Sequence, residues 1–362
     1  MLRNLFFGAA CACLLAACAG VRPVSTPAPA GVATAVVDAV VAEAWISDGS
    51  PDDELDSLAV WPTEDGRAWL IVTAKAAHQL VVFDASSGQR LRTVGGHGNG
   101  PGQFNRPNGI AIHGDLAFVV ERDNHRVQVL RLPDFTPLAA FGADVLRTPY
   151  GLWIHELAPQ QLELFVTDSF MADFRAGLLP PMAELDQRVK RFRIDIDGAG
   201  QPQVHYQGAF GDTSQAGALR MVESIEGDAA HDRLLIAEED RRVGSTLRDY
   251  SLDGRYRASL PAFDADAEGV SLWACDADKG YWIATDQVAP TRFRVFDRAS
   301  LQARGVFSGR VVANTDGQAL YPSALPGFPA GALFVQSDDR AVAAFDLRDI
   351  ATALHLDGDC VK

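Results

Sequence analysis

Short apolar runs of about five residues, alternating or rich in β-branched and aromatic side chains, recur along the chain and mark many short strands. Six of these runs are introduced by a polar residue and then Gly or, once, Ser: Asp56-Ser57, Asn108-Gly109, Tyr150-Gly151, Glu226-Gly227, Glu268-Gly269 and Asp316-Gly317. Each is trailed by a second strand ending in a polar cluster, namely Lys75, Glu121-Arg122-Asp123, Asp168-Ser169, Glu238-Glu239-Asp240, Asp286 and Asp338-Asp339. Third strands are expected at 79–83, 126–132, 189–196, 246–252, 292–296 and 341–345, and fourth strands end in Val94, Phe141, Phe210, Leu260 and Phe307. A unit repeated every roughly 40 to 75 residues, with no copy able to bury both its faces alone, predicts a radial array. The expected fold is all-β, a six-bladed β-propeller over residues 35–350 with a C-terminal tail at 351–362. In it the polar residue of each pair faces a shared axis. The sixth copy lacks a fourth strand, and the strand-like segment 35–46 is expected to pair beside the last blade and close the ring.

Three stretches stand outside the repeat. Residues 170–187 contain Pro180-Pro181 and a short helical signal near Met182, with no strand pattern. Inserted after the second strand of the third copy, they are expected to overhang the mouth as a lid or docking loop. At the N-terminus, Arg3 precedes a short apolar run, and Leu15-Ala16-Ala17-Cys18 matches a bacterial lipobox. Residues 1–17 are therefore read as a lipoprotein signal peptide, Cys18 as the lipidation site and 18–34 as a Pro/Ala/Ser-rich flexible tether. Ala19, directly after Cys18, is not an acidic retention residue, which favours the outer membrane, on its periplasmic or cell-surface side. Beyond that segment lie Cys275 and Cys360, which an oxidising compartment allows either to pair or to remain as packed thiols.

The formal charge of -15 argues against nucleic acid or an anionic membrane surface as a partner and requires cations wherever an anionic ligand is to approach. If the polar residues of the pairs converge, Asp56, Glu226, Glu268 and Asp316 bring carboxylates to the axis, and Glu239 ends a neighbouring strand. Such a group without His or Cys suits a hard cation, Ca²⁺ above all. Lys75 and Arg122 end second strands at the same rim and Tyr150 adds a hydroxyl. Acids that hold metal beside a basic arc fit phosphate. The same basic residues equally suit plain rim salt bridges.

At these residues the chain resembles the β-propeller phytases. Glu226-Gly227-Asp228-Ala229-Ala230, running to Leu235-Ile236-Ala237-Glu238-Glu239-Asp240, is similar to that family's Glu-Gly-Met-Ala and Leu-Tyr-Ile-Ala-Glu-Glu-Asp segment. Asp266-Ala267-Glu268-Gly269-Val270 resembles the next blade, Asp316-Gly317 the last and the stretch from Asp56 to Trp61 the first. The resemblance implies a calcium-dependent phosphomonoester hydrolase (3-phytase-like) that releases phosphate from myo-inositol hexakisphosphate and acts as a monomer. It implies metal ligands at Asp56, Glu226, Glu239, Glu268 and Asp316, with Glu226 and Glu239 also positioning the attacking water. Lys75, Arg122 and Tyr150 are implied to hold phosphate. The family's Asp-Asp-Pro-Ala is Asp56-Ser57-Leu58-Ala59 here, and its third-blade phosphate-binding Lys is Ser169. The stretch around 95–132, with its Gly-rich loop and Arg122-Asp123-Asn124-His125-Arg126-Val127, has a weaker resemblance to NHL-repeat propellers. Two other functions stay open: a non-catalytic propeller that binds a ligand or protein at the cell surface, and a metal-dependent lactonase or esterase.

The lipobox reading predicts that cells expressing the chain incorporate labelled palmitate into it, and that Cys18→Ser abolishes the label.

Overall fold

The computed structural model describes residues 35–361, so the signal peptide, the Cys18 lipidation site and the whole tether lie outside the described residues. Six antiparallel sheets follow one another in chain order and form the blades of a β-propeller. The inner strands are Leu55–Pro62, Pro107–His113, Pro149–Ala158, Val222–Asp228, Ala267–Ala274 and Gln318–Tyr321. Second strands, Ala68–Ala74, Leu116–Glu121, Gln161–Asp168, Arg233–Glu238, Gly280–Asp286 and Ala332–Ser337, are almost wholly buried. Being covered on both faces by neighbouring blades, they read as continuous apolar runs, whereas the outermost strands such as Arg90–Gly95 are exposed and polar. The core is divided into slabs between blades. One of them joins Leu70, Val72 and Phe83 of the first blade to Phe334 and Val342 of the sixth.

The start of the inner strand is the detail that positions everything else. Register shifts interrupt the first ladder between Leu55 and Leu58, Pro107 and Ile110, Pro149 and Leu152, Val222 and Ile225, and Ala267 and Val270. Each is a β-bulge, which turns the side chains of the intervening pair away from the sheet. The bulged pairs are Asp56-Ser57, Asn108-Gly109, Tyr150-Gly151, Glu223-Ser224 and Glu268-Gly269. In the fourth blade the pair is thus Glu223-Ser224, three residues before the expected Glu226-Gly227. A Thr hydroxyl on the second strand takes up the freed amide: Thr73 Oγ1 accepts from Ser57 N at 3.0 Å, and Thr167 Oγ1 from Gly151 N at 2.8 Å. The same hydroxyls donate onward to the next blade, to Asn108 O and Glu223 O, each at 2.6 Å. Blade-to-blade contact is so close here that a Cβ on Gly317 would lie 2.3 Å from Asp56 O, and one on Gly109 would lie 2.4 Å from Tyr150 O.

Ring closure differs from the expectation of one strand beside the last blade. Ala39–Val40 pairs in parallel with the fourth strand of blade five, Ala303–Ser308, and Trp45–Ile46 pairs antiparallel with Ala341–Asp346 of blade six. Between them Glu43 turns inward, its carboxylate accepting from Arg310, Val311 and Val312 amides at 3.0–3.2 Å. Those three bonds break the strand and carry the segment from one blade to the next. The helix Leu347–Ala353, capped by Asp346, then packs Ile350 and Ala351 against blades five and six. Cys275 and Cys360 form a disulfide across 85 residues. The 170–187 segment carries the 3₁₀ helix Met182–Gln187. Among the described residues no helix is long and apolar enough to cross a membrane.

Cross-linking residues this far apart removes unfolded-chain entropy, so Cys275→Ser with Cys360→Ser should lower the unfolding free energy by about 2–4 kcal/mol in urea titrations.

A candidate metal and anion site at the propeller mouth

Five bulges, with Asp316 just ahead of the sixth inner strand, gather Asp56, Asn108, Tyr150, Glu223, Glu268 and Asp316 around one small cleft where the inner strands begin. Glu239, one residue past the second strand of blade four, joins two of them. Carboxylate oxygens of Glu223, Glu239 and Glu268 lie within 4.8 Å of one another. Glu268 is buried, whereas Glu223 and Glu239 keep partial contact with solvent. Burial raises the pKa of all three well above the carboxylate range; repulsion from Glu239 adds to it for Glu223 and Glu268, while Glu239 itself accepts a hydrogen bond from Glu268 that works the other way. Glu239 Oε1 and Asn108 Oδ1 are buried without a hydrogen-bond partner among the described residues. Two orphaned oxygens beside a triad of oxygen donors fit a hard cation such as Ca²⁺.

Across the cleft the charge is already balanced. Lys75 Nζ lies 2.7 Å from Asp56 Oδ2, 3.3 Å from Asp316 Oδ2 and 3.8 Å from Glu54 Oε1. Burial works against the Lys75 charge, yet Asp56 and Asp316 outweigh it and raise its pKa above the ordinary value. Asp316, which also accepts from Gln287, is itself pushed up by burial and by Asp56. Arg122 pairs with Asp123 at 2.7 Å and donates to the Tyr150 hydroxyl, whose pKa burial pushes up to about 12. Arg122 and Tyr150 thus form one hydrogen-bonded pair, with Tyr150 near enough to Glu223 and Glu239 to feel their charge, while Lys75 sits among Asp56, Asp316 and Glu54. Ser57, which stands where the resembled family has a second Asp, donates its hydroxyl to Asp56 at 2.8 Å. Ser169 is buried, its amide bonded to Thr148 O.

Glu226 is the exception among the expected site residues. It lies further along its inner strand, lining the central channel of about 300 Å³ beneath the cleft. Its Oε1 accepts from Gly227 N at 2.9 Å, Trp153 provides a second bond, and burial pushes its pKa up to about 8. Gly227 has a local cause: a Cβ there would meet the Trp153 ring at 2.4 Å. The Glu-Gly pair of blade four thus answers to Trp153, and Glu223 takes the position assigned to Glu226. A signal for this was present. Val222-Glu223-Ser224-Ile225 repeats Leu55-Asp56-Ser57-Leu58 type for type, apolar, acid, Ser, apolar.

No protein-family model matches the chain, and neither does any curated protein. Among solved structures, it is similar to a chain from the crystal structure of a nidogen/laminin complex, with 14% identity and a TM-score of 0.51, covering 75% of this chain and 87% of that one. A chain of Kuenenia stuttgartiensis hydrazine synthase aligns at 12% identity and a TM-score of 0.44, over 85% of this chain and 81% of that one. At such identity the nidogen-complex likeness speaks for the β-propeller fold alone.

Because their pKa values are higher in the folded chain than in the unfolded one, the glutamates bind more protons when folded. In chelator, stability should therefore fall as pH rises above the ordinary carboxylate pKa of about 4.3. Added Ca²⁺ should raise the melting temperature more at pH 8 than at pH 5, where protons compete with the cation. Glu239→Gln should raise the chelated protein's melting temperature at pH 8; a fall would contradict the charge assignment.

Proposed function

We propose that the mouth is a calcium-dependent phosphomonoesterase site, with phytate (myo-inositol hexakisphosphate) as the preferred substrate. The observation that carries this reading is a glutamate triad with an unpartnered oxygen at a mouth that also holds Lys75 and the Arg122–Tyr150 pair. Glu223, Glu239 and Glu268 hold Ca²⁺, with Asn108 Oδ1 within the same ring, and Asp56 and Asp316 lie beside Lys75. Bound calcium supplies charge neutralisation and Lewis-acid polarisation of phosphate oxygens. Lys75 and Arg122 bind those oxygens by charge-assisted hydrogen bonds and Tyr150 fixes their orientation. Glu239 accepts a proton from the attacking water as its oxygen bonds to phosphorus. The phosphorus–oxygen ester bond breaks on the opposite side, and the departing inositol oxygen takes a proton from solvent water to become a hydroxyl as Glu239 releases its own proton to solvent. In the same proposal the chain is a monomeric outer-membrane lipoprotein held through Cys18.

Asn108 favours a second reading. A ring of Glu, Asn and Asp around a hard cation also suits a metal-dependent lactonase or esterase, in which the same cation would polarise a carbonyl.

Phosphate release from phytate by the full chain should require Ca²⁺ and stop in chelator. Glu239→Gln should lower kcat by about 10²-fold, and Lys75→Ala should raise KM roughly tenfold. Hydrolysis of lactones with no phosphate release would move the assignment to the second reading. Inactivity on both substrate classes with calcium still bound would leave a binding propeller.

A further inference from the structure

Beneath the mouth, the central channel holds one acid that neither the cation site nor the phosphate-binding groups use. Its wall can be followed layer by layer, because the inner strands run in step downward from the crowded axial pair. Three residues past the polar member of each pair stand Ala59, Ala111, Trp153, Glu226, Ser271 and Ala319, all lining the channel. The layers directly above and below this one are aliphatic apart from Gln318 and Gly227. Gln318 turns its polarity into the blades, its Oε1 accepting from Thr285 Oγ1 at 2.9 Å and its Nε2 donating to Ile283 O at 2.7 Å. Among the described residues that line the channel, none is Lys, Arg or His. Glu226 therefore brings a half-buried carboxyl group to a largely aliphatic passage of about 300 Å³.

That carboxyl group is also held in place. Gly227 N donates to its Oε1 at 2.9 Å, Trp153 supplies a second bond, and Gly227 lacks the Cβ that would strike the Trp153 ring. The charge that acts on it is a further acid, Asp228, which Arg298 already binds in bidentate fashion at 2.6 and 2.8 Å. An ionised carboxylate is costly in an apolar passage without a cation, and a ligand that brings one offsets the cost. We propose that the channel binds a primary alkylammonium ion, its nitrogen at Glu226 and its chain against the aliphatic layers. A hard metal ion asks for several oxygen ligands, whereas these layers present aliphatic side chains around one carboxylate. The Ser271 hydroxyl, in the same layer on the adjoining blade, is a further acceptor for an ammonium hydrogen. The volume lies at the lower end for small-ligand sites, which suits a chain of about four to eight carbons. Because Gly227 and Trp153 orient the carboxylate beforehand, little ordering entropy is lost on binding.

The channel site is independent of the reading given for the mouth, and two variants keep them apart. Titration calorimetry on the full chain uses n-hexylammonium, with 1-hexanol and hexanoate as controls. It is run at pH 9, above the Glu226 pKa of about 8 and below that of an amine such as lysine's, about 10.4. One hexylammonium per chain should bind, roughly tenfold or more tighter than hexanol, and hexanoate should not bind. Glu226→Gln, which keeps the shape and the acceptor for Gly227 N, should bring hexylammonium down to the affinity of hexanol, with the melting temperature recorded to show that the variant is folded. Glu223→Gln, at the mouth, should bind hexylammonium as the parent does. Absence of hexylammonium binding overturns the proposal, as does equal affinity for hexylammonium and hexanol in the parent chain. Binding that survives Glu226→Gln, or is lost in Glu223→Gln, would put the ammonium among the mouth glutamates and also overturn it.

Discussion

The β-bulge that opens the inner strand in five of the six blades is the constraint on which the rest depends. It frees one amide, which a Thr hydroxyl of the second strand accepts in blades one and three before donating to the next blade's carbonyl. That relay fastens neighbouring blades at the point where six chains crowd an axis, and it aims the bulged side chain inward. Backbone approach is so close there that Gly109 and Gly317 admit no Cβ. Architecture and site are consequences of the same local irregularity, because the residue that makes the bulge is also the residue presented to the cleft.

What the ring presents is uneven, and the unevenness has an electrostatic logic. On one side Lys75 sits among Asp56, Asp316 and Glu54, so those acids are compensated from within the chain. On the other, Glu223, Glu239 and Glu268 bring their carboxylates within 4.8 Å of one another. Burial and repulsion from neighbouring acids make them hold protons that exposed carboxylates would release, Glu268 hydrogen-bonding to Glu239. Folding therefore maintains a local instability, set against inter-blade apolar slabs, the buried pair Arg298–Asp228 at 2.6 Å and the C-terminal disulfide. A bound divalent cation removes that repulsion, which makes the triad a place where ligand affinity and stability are linked.

Blade count and strand positions were legible because both depend on short-range apolar runs that local sequence encodes. Asp56, Asn108, Tyr150, Glu268 and Asp316 were legible as a ring because Gly or Ser after a polar residue reflects crowding at the axis. Blade four misled the same reasoning. Glycine records a close neighbour without saying which one, and Gly227 accommodates Trp153, a contact visible only in three dimensions. Glu223, followed by Ser, lacked the glycine, although its flanking apolar residues matched those of Asp56. Segment 35–46 carried a strand pattern along its whole length, yet Glu43's three amide partners come from residues nearly 270 positions away, and they divide it between two blades.

Calcium titration calorimetry at pH 8, comparing Glu223→Gln with Glu226→Gln, tests the central claim most directly, since these residues lie three apart on one strand but in different environments. The predicted result is that Glu223→Gln weakens or abolishes calcium binding while Glu226→Gln leaves it unchanged. Loss of binding in Glu226→Gln with retention in Glu223→Gln would contradict the bulge register and the cation site built on it.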